Sequence, residues 1–232
     1  MFRSFGHDQS SVLDGGLPGW EIEGLPTEAG PVMEVPRNKY PAPTLASENI
    51  RSESSILSCP IFAAQSMQGY EQMVSNAARE LSEPLAEIVL DARAHGRYAR
   101  RHVTSESGSD HCHVHRYMGS DPEPRPGLPS GHIPHSFSLP FDVFLQTNTI
   151  PHLSKTFTTF LPPNELHRKL ADVVGTGYAQ LIIEGKRGVT TTCGSGMTAG
   201  ILWLGLKLIE ESTSVALYDE VRSYTEIGWT NC

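Results

Sequence analysis

The run TTCGSGMTAG, residues 191–200, sets one cysteine between a β-branched stretch, Val189 to Thr192, and an apolar helical stretch that opens near Met197. The order strand, Cys193, Gly-Ser-Gly, helix carries a definite chemistry. In open α/β sheets, ligands gather beyond the carboxyl ends of strands. Gly194 and Gly196 permit backbone conformations closed to other residues, so successive amides can converge on one point. Those N–H groups, together with the dipole of the following helix, favour an anion at the sulfur and the thiolate over the thiol. The chemistry is that of a thiolate holding an anionic adduct. The same residues also fit a buried thiol beside a tight glycine turn, since free cysteines are commonly buried.

Two other glycine-loop chemistries fail on residue type. A nucleotide P-loop needs Lys-Ser/Thr after its glycines, and Met197-Thr198 stand there instead. A cysteine phosphatase needs an arginine closing the loop onto phosphate oxygens, whereas Ala199 and Gly200 follow. The remaining cysteines, Cys59, Cys112 and Cys232, share no short spacing with Cys193. A disulfide scaffold is therefore not expected, and a reducing compartment is. Cys59, in LSCPIF, reads as core.

The elements that must hold this loop are readable in outline. QGYEQMVSNAARELSEP predicts a helix with Tyr70, Met73, Val74, Ala77 and Leu81 on one face. AEIVLDAR has the continuous apolar character of a buried parallel strand. HSFSLP predicts a short strand, and PPNELHRKLADVVG a helix with a Pro/Asn start and a Gly stop. GVTTTC predicts a strand, MTAGILWLGLKLIEES a helix and SVALYD a last strand. This alternation predicts an α/β fold with a mostly parallel sheet flanked by helices. Upstream, SSVLDGG predicts a short strand and LPGWEIEG a short helix that stops at Gly24. Residues 25–54 are rich in Pro, Ser and charge and read as a linker.

A net charge of −8 argues against a general nucleic-acid or anionic-membrane surface. No apolar run reaches membrane-spanning length, and the first residues carry neither a signal core nor an amphipathic presequence.

At the cysteine loop the chain resembles the rhodanese-type sulfurtransferases, and CGSGMTAG resembles their mercaptopyruvate branch. VLDARAHGRY and GSDPEPRPGLPSGHIPHSFSLPF resemble the catalytic domain of that family, and FGHDQSSVLDGGLPGWEIEGLPTEAG resembles the end of its inactive first domain. The resemblance implies a rhodanese-like catalytic domain over 56–232, a linker over 29–55 and a first-domain fragment over 1–28. It implies that Cys193 is the nucleophile that becomes a persulfide, with Ser195 assisting proton transfer. Main-chain N–H groups of Gly194, Gly196, Met197 and Thr198 would cradle the outer sulfur. Arg97 of HGRY and Arg125 of PEPRPG would bind the substrate carboxylate, as paired guanidinium groups suit a small organic anion. His132 of GHIP would be structural.

The implied donors are 3-mercaptopyruvate or thiosulfate. The acceptors are cyanide, a thiol, thioredoxin or a protein, with no metal, organic cofactor, nucleic acid or membrane involved. A cytoplasmic or mitochondrial location is expected. The rival readings are a catalytically impaired rhodanese-like module and a sulfur-relay partner in tRNA thiolation.

Three departures from the family stand out. The first domain is represented by its closing segment, so the Asp and His that the mercaptopyruvate branch draws from it have no counterpart, and residues 1–28 are expected to expose apolar surface. Residues 98–116 interrupt the pattern, and removing them restores GRYMGSDPEPRPG. Their His102, His111, Cys112, His113 and His115 alternate without a partner cluster, so a retained intron explains the segment better than a metal site. Residues 221–232 diverge after Glu220 and read the same way.

Overall fold

The structure is a computed structural model, described here for residues 9–31, 67–68, 70–93, 117, 131–151, 154–194 and 196–218. Its centre is a five-stranded parallel sheet. The strands are β1 (Met67–Gln68), β2 (Ile88–Asp91), β3 (Phe137–Ser138), β6 (Val189–Thr192) and β7 (Val215–Tyr218), in the order β1-β7-β6-β2-β3. An antiparallel hairpin, β4 (Leu145–Ile150) and β5 (Lys155–Phe160), forms a separate two-stranded sheet. The helices are α1 (Gly16–Ile22), α2 (Tyr70–Ala77), α3 (Pro163–Val174), α4 (Thr176–Ile183) and α5 (Met197–Ile209).

All four residues of β2 and of β6 are buried. That is the pattern of strands covered on both faces. Side chains alternate across the sheet, and two cores follow from the alternation. Ile88, Leu90, Val189, Cys193 and Val215 pack with Leu166, Leu170, Ile182, Leu202 and Leu206 of α3, α4 and α5. Val89 and Tyr218 face the other way and pack with Met73 of α2. The register of β6 therefore puts Cys193 on the same face as α5. On the opposite face the Thr190 hydroxyl donates to Glu87 at 2.7 Å, and Asn76 of α2 exchanges two hydrogen bonds with the Glu87 backbone.

The helix boundaries have local causes. Pro162 and Pro163 open α3, where a missing N–H costs nothing. Gly175, with φ 86°, ends it and starts α4 at once. In α5, Gly205 lets the buried Phe144 ring lie against the helix backbone.

Several sequence expectations need correction. Residues 11–13 form no strand; the chain turns at Asp14-Gly15 into α1. Helix α2 runs only from Tyr70 to Ala77, so Leu81 lies beyond it, and Gln68, expected in the helix, belongs to β1. The expected sheet and the helices α3 and α5 are present, whereas the hairpin and α4 carried no sequence reading at all. The hairpin's signal was the alternation in LQTNTI and KTFTTF, half-exposed and threonine-rich.

Helix α1 rests on the hairpin. Gly15 and Gly19 both face the Phe157 ring, the Phe160 N–H donates to Asp14 at 3.1 Å, and Lys155 pairs with Glu21 at 3.1 Å. Val12, Leu13 and Leu17 stay exposed, in line with the apolar surface expected of this segment.

Candidate active site

Strand β6 ends at Thr192, which is in register with Asp91 at the end of β2; Asp91 is also in register with Ser138 of β3. The Ala92 N–H donates to the Thr192 carbonyl at 2.8 Å, so the exits of three strands lie side by side. Cys193 follows directly and is 4% exposed. Its thiol forms no disulfide.

The chain then turns through Gly194 to Gly196, whose φ of 77° is left-handed and favours glycine. Gly196 is the N-cap of α5, and its carbonyl accepts the Gly200 N–H at 3.2 Å. The N-cap is a glycine and so offers no capping side chain of its own, and the first turn holds no acidic residue. No first-turn carboxylate therefore opposes an anion there. Thirteen residues of helix follow from that end. Met197 at the rim is 80% exposed, whereas Thr198 is half-buried. This arrangement can hold a negatively charged sulfur adduct between a buried cysteine and a helix N-terminus.

The structure thus brings Cys193, Gly194, Gly196, Met197 and Thr198 together at one strand-to-helix turn. Ser195, Arg97 and Arg125 lie outside the described residues, as do the histidines of 98–116. His132 stacks on Tyr117, with ring centroids 4.0 Å apart and an angle of 11°. Its Nδ1 lies 2.7 Å from the Tyr117 carbonyl. These contacts accord with its expected structural part.

Sequence reasoning missed two groups near β2 and β3. Arg93 forks onto Asp91, with Nε 2.8 Å from Oδ2 and Nη2 2.5 Å from it, and both side chains are almost buried. The Tyr117 hydroxyl donates to the Ser136 carbonyl. Burial pushes the Tyr117 phenol above its ordinary value near 10. The only available signal was Asp-x-Arg at a predicted strand exit.

No protein-family model matches the chain. Over 226 residues, 97% of its length, it is 32% identical to thiosulfate/3-mercaptopyruvate sulfurtransferase 2 of Arabidopsis thaliana, of which it covers 54%. It is 30% identical to thiosulfate/3-mercaptopyruvate sulfurtransferase 1, mitochondrial, of the same plant, covering 97% of this chain and 48% of that one. It is also 30% identical to the 3-mercaptopyruvate sulfurtransferase of Mus musculus, covering 94% and 53%. The chain spans about half the length of the curated relatives it matches. Among solved structures it is similar to the Tum1 protein of Saccharomyces cerevisiae, with TM-score 0.58 and 20% identity over 94% of this chain and 57% of that one. It is also similar to EanB, solved as a cysteine persulfide with ergothioneine, with TM-score 0.57 and 15% identity over 98% and 44%. These structural likenesses place the sheet and its helices in the rhodanese fold.

Proposed function

We propose that this chain, a relative of the 3-mercaptopyruvate/thiosulfate sulfurtransferases over nearly its whole length, moves a sulfane sulfur through a persulfide on Cys193. The observation that carries the proposal is the buried Cys193 placed between the end of β6 and the N-terminus of α5. The reaction has two halves. In the first, the Cys193 thiolate attacks the donor's sulfur and forms an S–S bond. With 3-mercaptopyruvate the C–S bond breaks, its electron pair passes to carbon as an enolate, and protonation gives pyruvate. With thiosulfate the donor S–S bond breaks and sulfite leaves with the pair. In the second half cyanide or a thiolate attacks the outer sulfur and returns the Cys193 thiolate.

Each chain feature has a part in this scheme. The amides after Cys193 stabilise the negative charge on the outer sulfur, where fixed donors cost no reorganisation. Ser195 passes the proton, and Arg97 and Arg125 hold the donor carboxylate, by resemblance to the family. The Gly-Ser loop favours 3-mercaptopyruvate over thiosulfate. Residues 1–28 are the end of a first domain, 29–55 a linker and 56–232 the catalytic domain, with 98–116 inserted. Among the described residues no helix is long and apolar enough to cross a membrane, and a cytoplasmic or mitochondrial setting fits the reaction.

Thiocyanate release tests the reading. The chain is incubated with 3-mercaptopyruvate or thiosulfate, then with cyanide, alongside Cys193→Ser. The expected result is thiocyanate from the parent chain and none above background from the variant. Equal amounts from both would sink the proposal.

A further inference from the structure

Exposed apolar surface is shared unevenly along the chain. Of the seven large apolar side chains exposed among the described residues, four lie between residues 12 and 25: Val12, Leu13, Leu17 and Leu25. Val12 and Leu17 are 72% and 60% exposed. The segment that carries them is held from its other side. Gly15 and Gly19 lie on the Phe157 ring, the Phe160 N–H donates to Asp14, and Lys155 pairs with Glu21. The apolar side chains are thus presented outward from a fixed base. A cluster carried in this way marks an interaction surface.

Three observations select its occupant. SSVLDGG has strand character, yet no strand pairs with 11–13 among the described residues. Such a segment is completed by adding itself to the edge of another sheet. Residues 9–31 also hold Asp14, Glu21, Glu23 and Glu28 and no Lys, Arg or His. Two copies of this face would set like charges together, and an anionic lipid surface would repel it. A sheet edge flanked by basic side chains complements it. Lastly, the chain matches its relatives over nearly all of its own length but covers only 54%, 48% and 53% of theirs. About half of each relative lies outside the match.

We infer that residues 11–13, together with Leu17, form a docking face that adds a strand to a sheet edge, flanked by basic side chains, of a first domain of the sulfurtransferase family. Val12 and Leu13 then point to opposite faces of the completed sheet, and Leu17 packs beside them. This rests on the reading of residues 1–28 as the end of a first domain and is independent of the Cys193 chemistry.

The probe is the part of thiosulfate/3-mercaptopyruvate sulfurtransferase 2 of Arabidopsis thaliana that lies outside the match, co-expressed as a separate tagged chain with the full 232 residues. The parent chain is expected to co-purify with it, with binding that weakens as salt rises. Val12→Asp and Leu17→Asp alter exposed positions, so each should keep the parent melting temperature while lowering affinity by about 10-fold or more. Amide exchange at 11–13 should slow in the complex. No complex with the parent, equal affinity in both variants, or unchanged exchange at 11–13 overturns the docking face. A parent dimer in sedimentation that Val12→Asp dissolves assigns the face to a second copy and overturns it as well. A parent that releases thiocyanate but binds no probe loses the docking face and keeps the reaction. One that binds the probe through 11–13 without releasing thiocyanate loses the reaction and keeps the face.

Discussion

Cys193 owes its setting to its immediate neighbours. Strand alternation turns it to the α5 face, among apolar side chains. Gly196 then adopts φ 77°, which lets the helix begin at Met197, four residues after the cysteine. A side chain at Gly196 would strain this turn by about 1–2 kcal/mol. Relief of that strain would draw the first-turn amides away from the sulfur. Gly196→Ala is therefore expected to slow thiocyanate formation by about 10-fold, the rate equivalent of roughly 1.4 kcal/mol, while the melting temperature falls by only a few degrees. A variant with parent kinetics would show that the left-handed turn does not matter to the chemistry.

At the level of strands and helices, α5 links the cysteine turn to the core. Its N-terminus follows directly on the cysteine turn and its far half packs against Phe144. A Cβ at Gly205 would fall 2.9 Å from Phe144 Cε2 and closer still to Cδ2. That ring is fully buried and has no room to yield. Alanine gains about 1 kcal/mol of helix propensity over glycine, but overpacking costs about 1–3 kcal/mol. Gly205→Ala should thus be destabilising, by up to about 2 kcal/mol in urea unfolding. A stabilised variant would mean that the ring repacks without strain. Thr190, bonded to Glu87 on the other face, ties β6 to the chain that enters β2. The strand that delivers Cys193 is thus fixed from both sides.

Across the molecule, the contacts of α1 decide how the N-terminal segment is held. Its polar link, Lys155–Glu21, is half-exposed on both sides. Such pairs contribute less than about 1 kcal/mol. The larger part comes from Gly15 and Gly19 lying on the Phe157 ring. Glu21→Gln is expected to leave amide exchange in α1 almost unchanged, whereas Phe157→Ala should speed it markedly at Gly19 and Glu23, whose N–H groups make the helix bonds. Comparable exchange in the two variants would place the anchor in the ion pair instead.

What could be read from residue order was local in origin. Val189 to Thr192 is β-branched throughout, Pro163 and Gly175 bracket a helix, and Cys-Gly-Ser-Gly between strand and helix marks a turn suited to an anion. Each of these preferences acts within a few residues, so no distant partner is needed to recognise it. The failures were elements defined by their partners. A strand exists only by pairing, and 11–13 pairs with no strand among the described residues, while the threonine-rich 145–160 pairs with itself. Likewise Arg93 reaches Gly131 across 38 positions of sequence, and Asp14 meets Phe160 across 146. Neither contact leaves a periodic trace, because its geometry comes from the way strands and helices stack. The strand–Cys–glycine–helix turn was thus legible in a short run of residues, whereas the Arg93–Gly131 and Asp14–Phe160 contacts were decided only when distant segments folded onto one another.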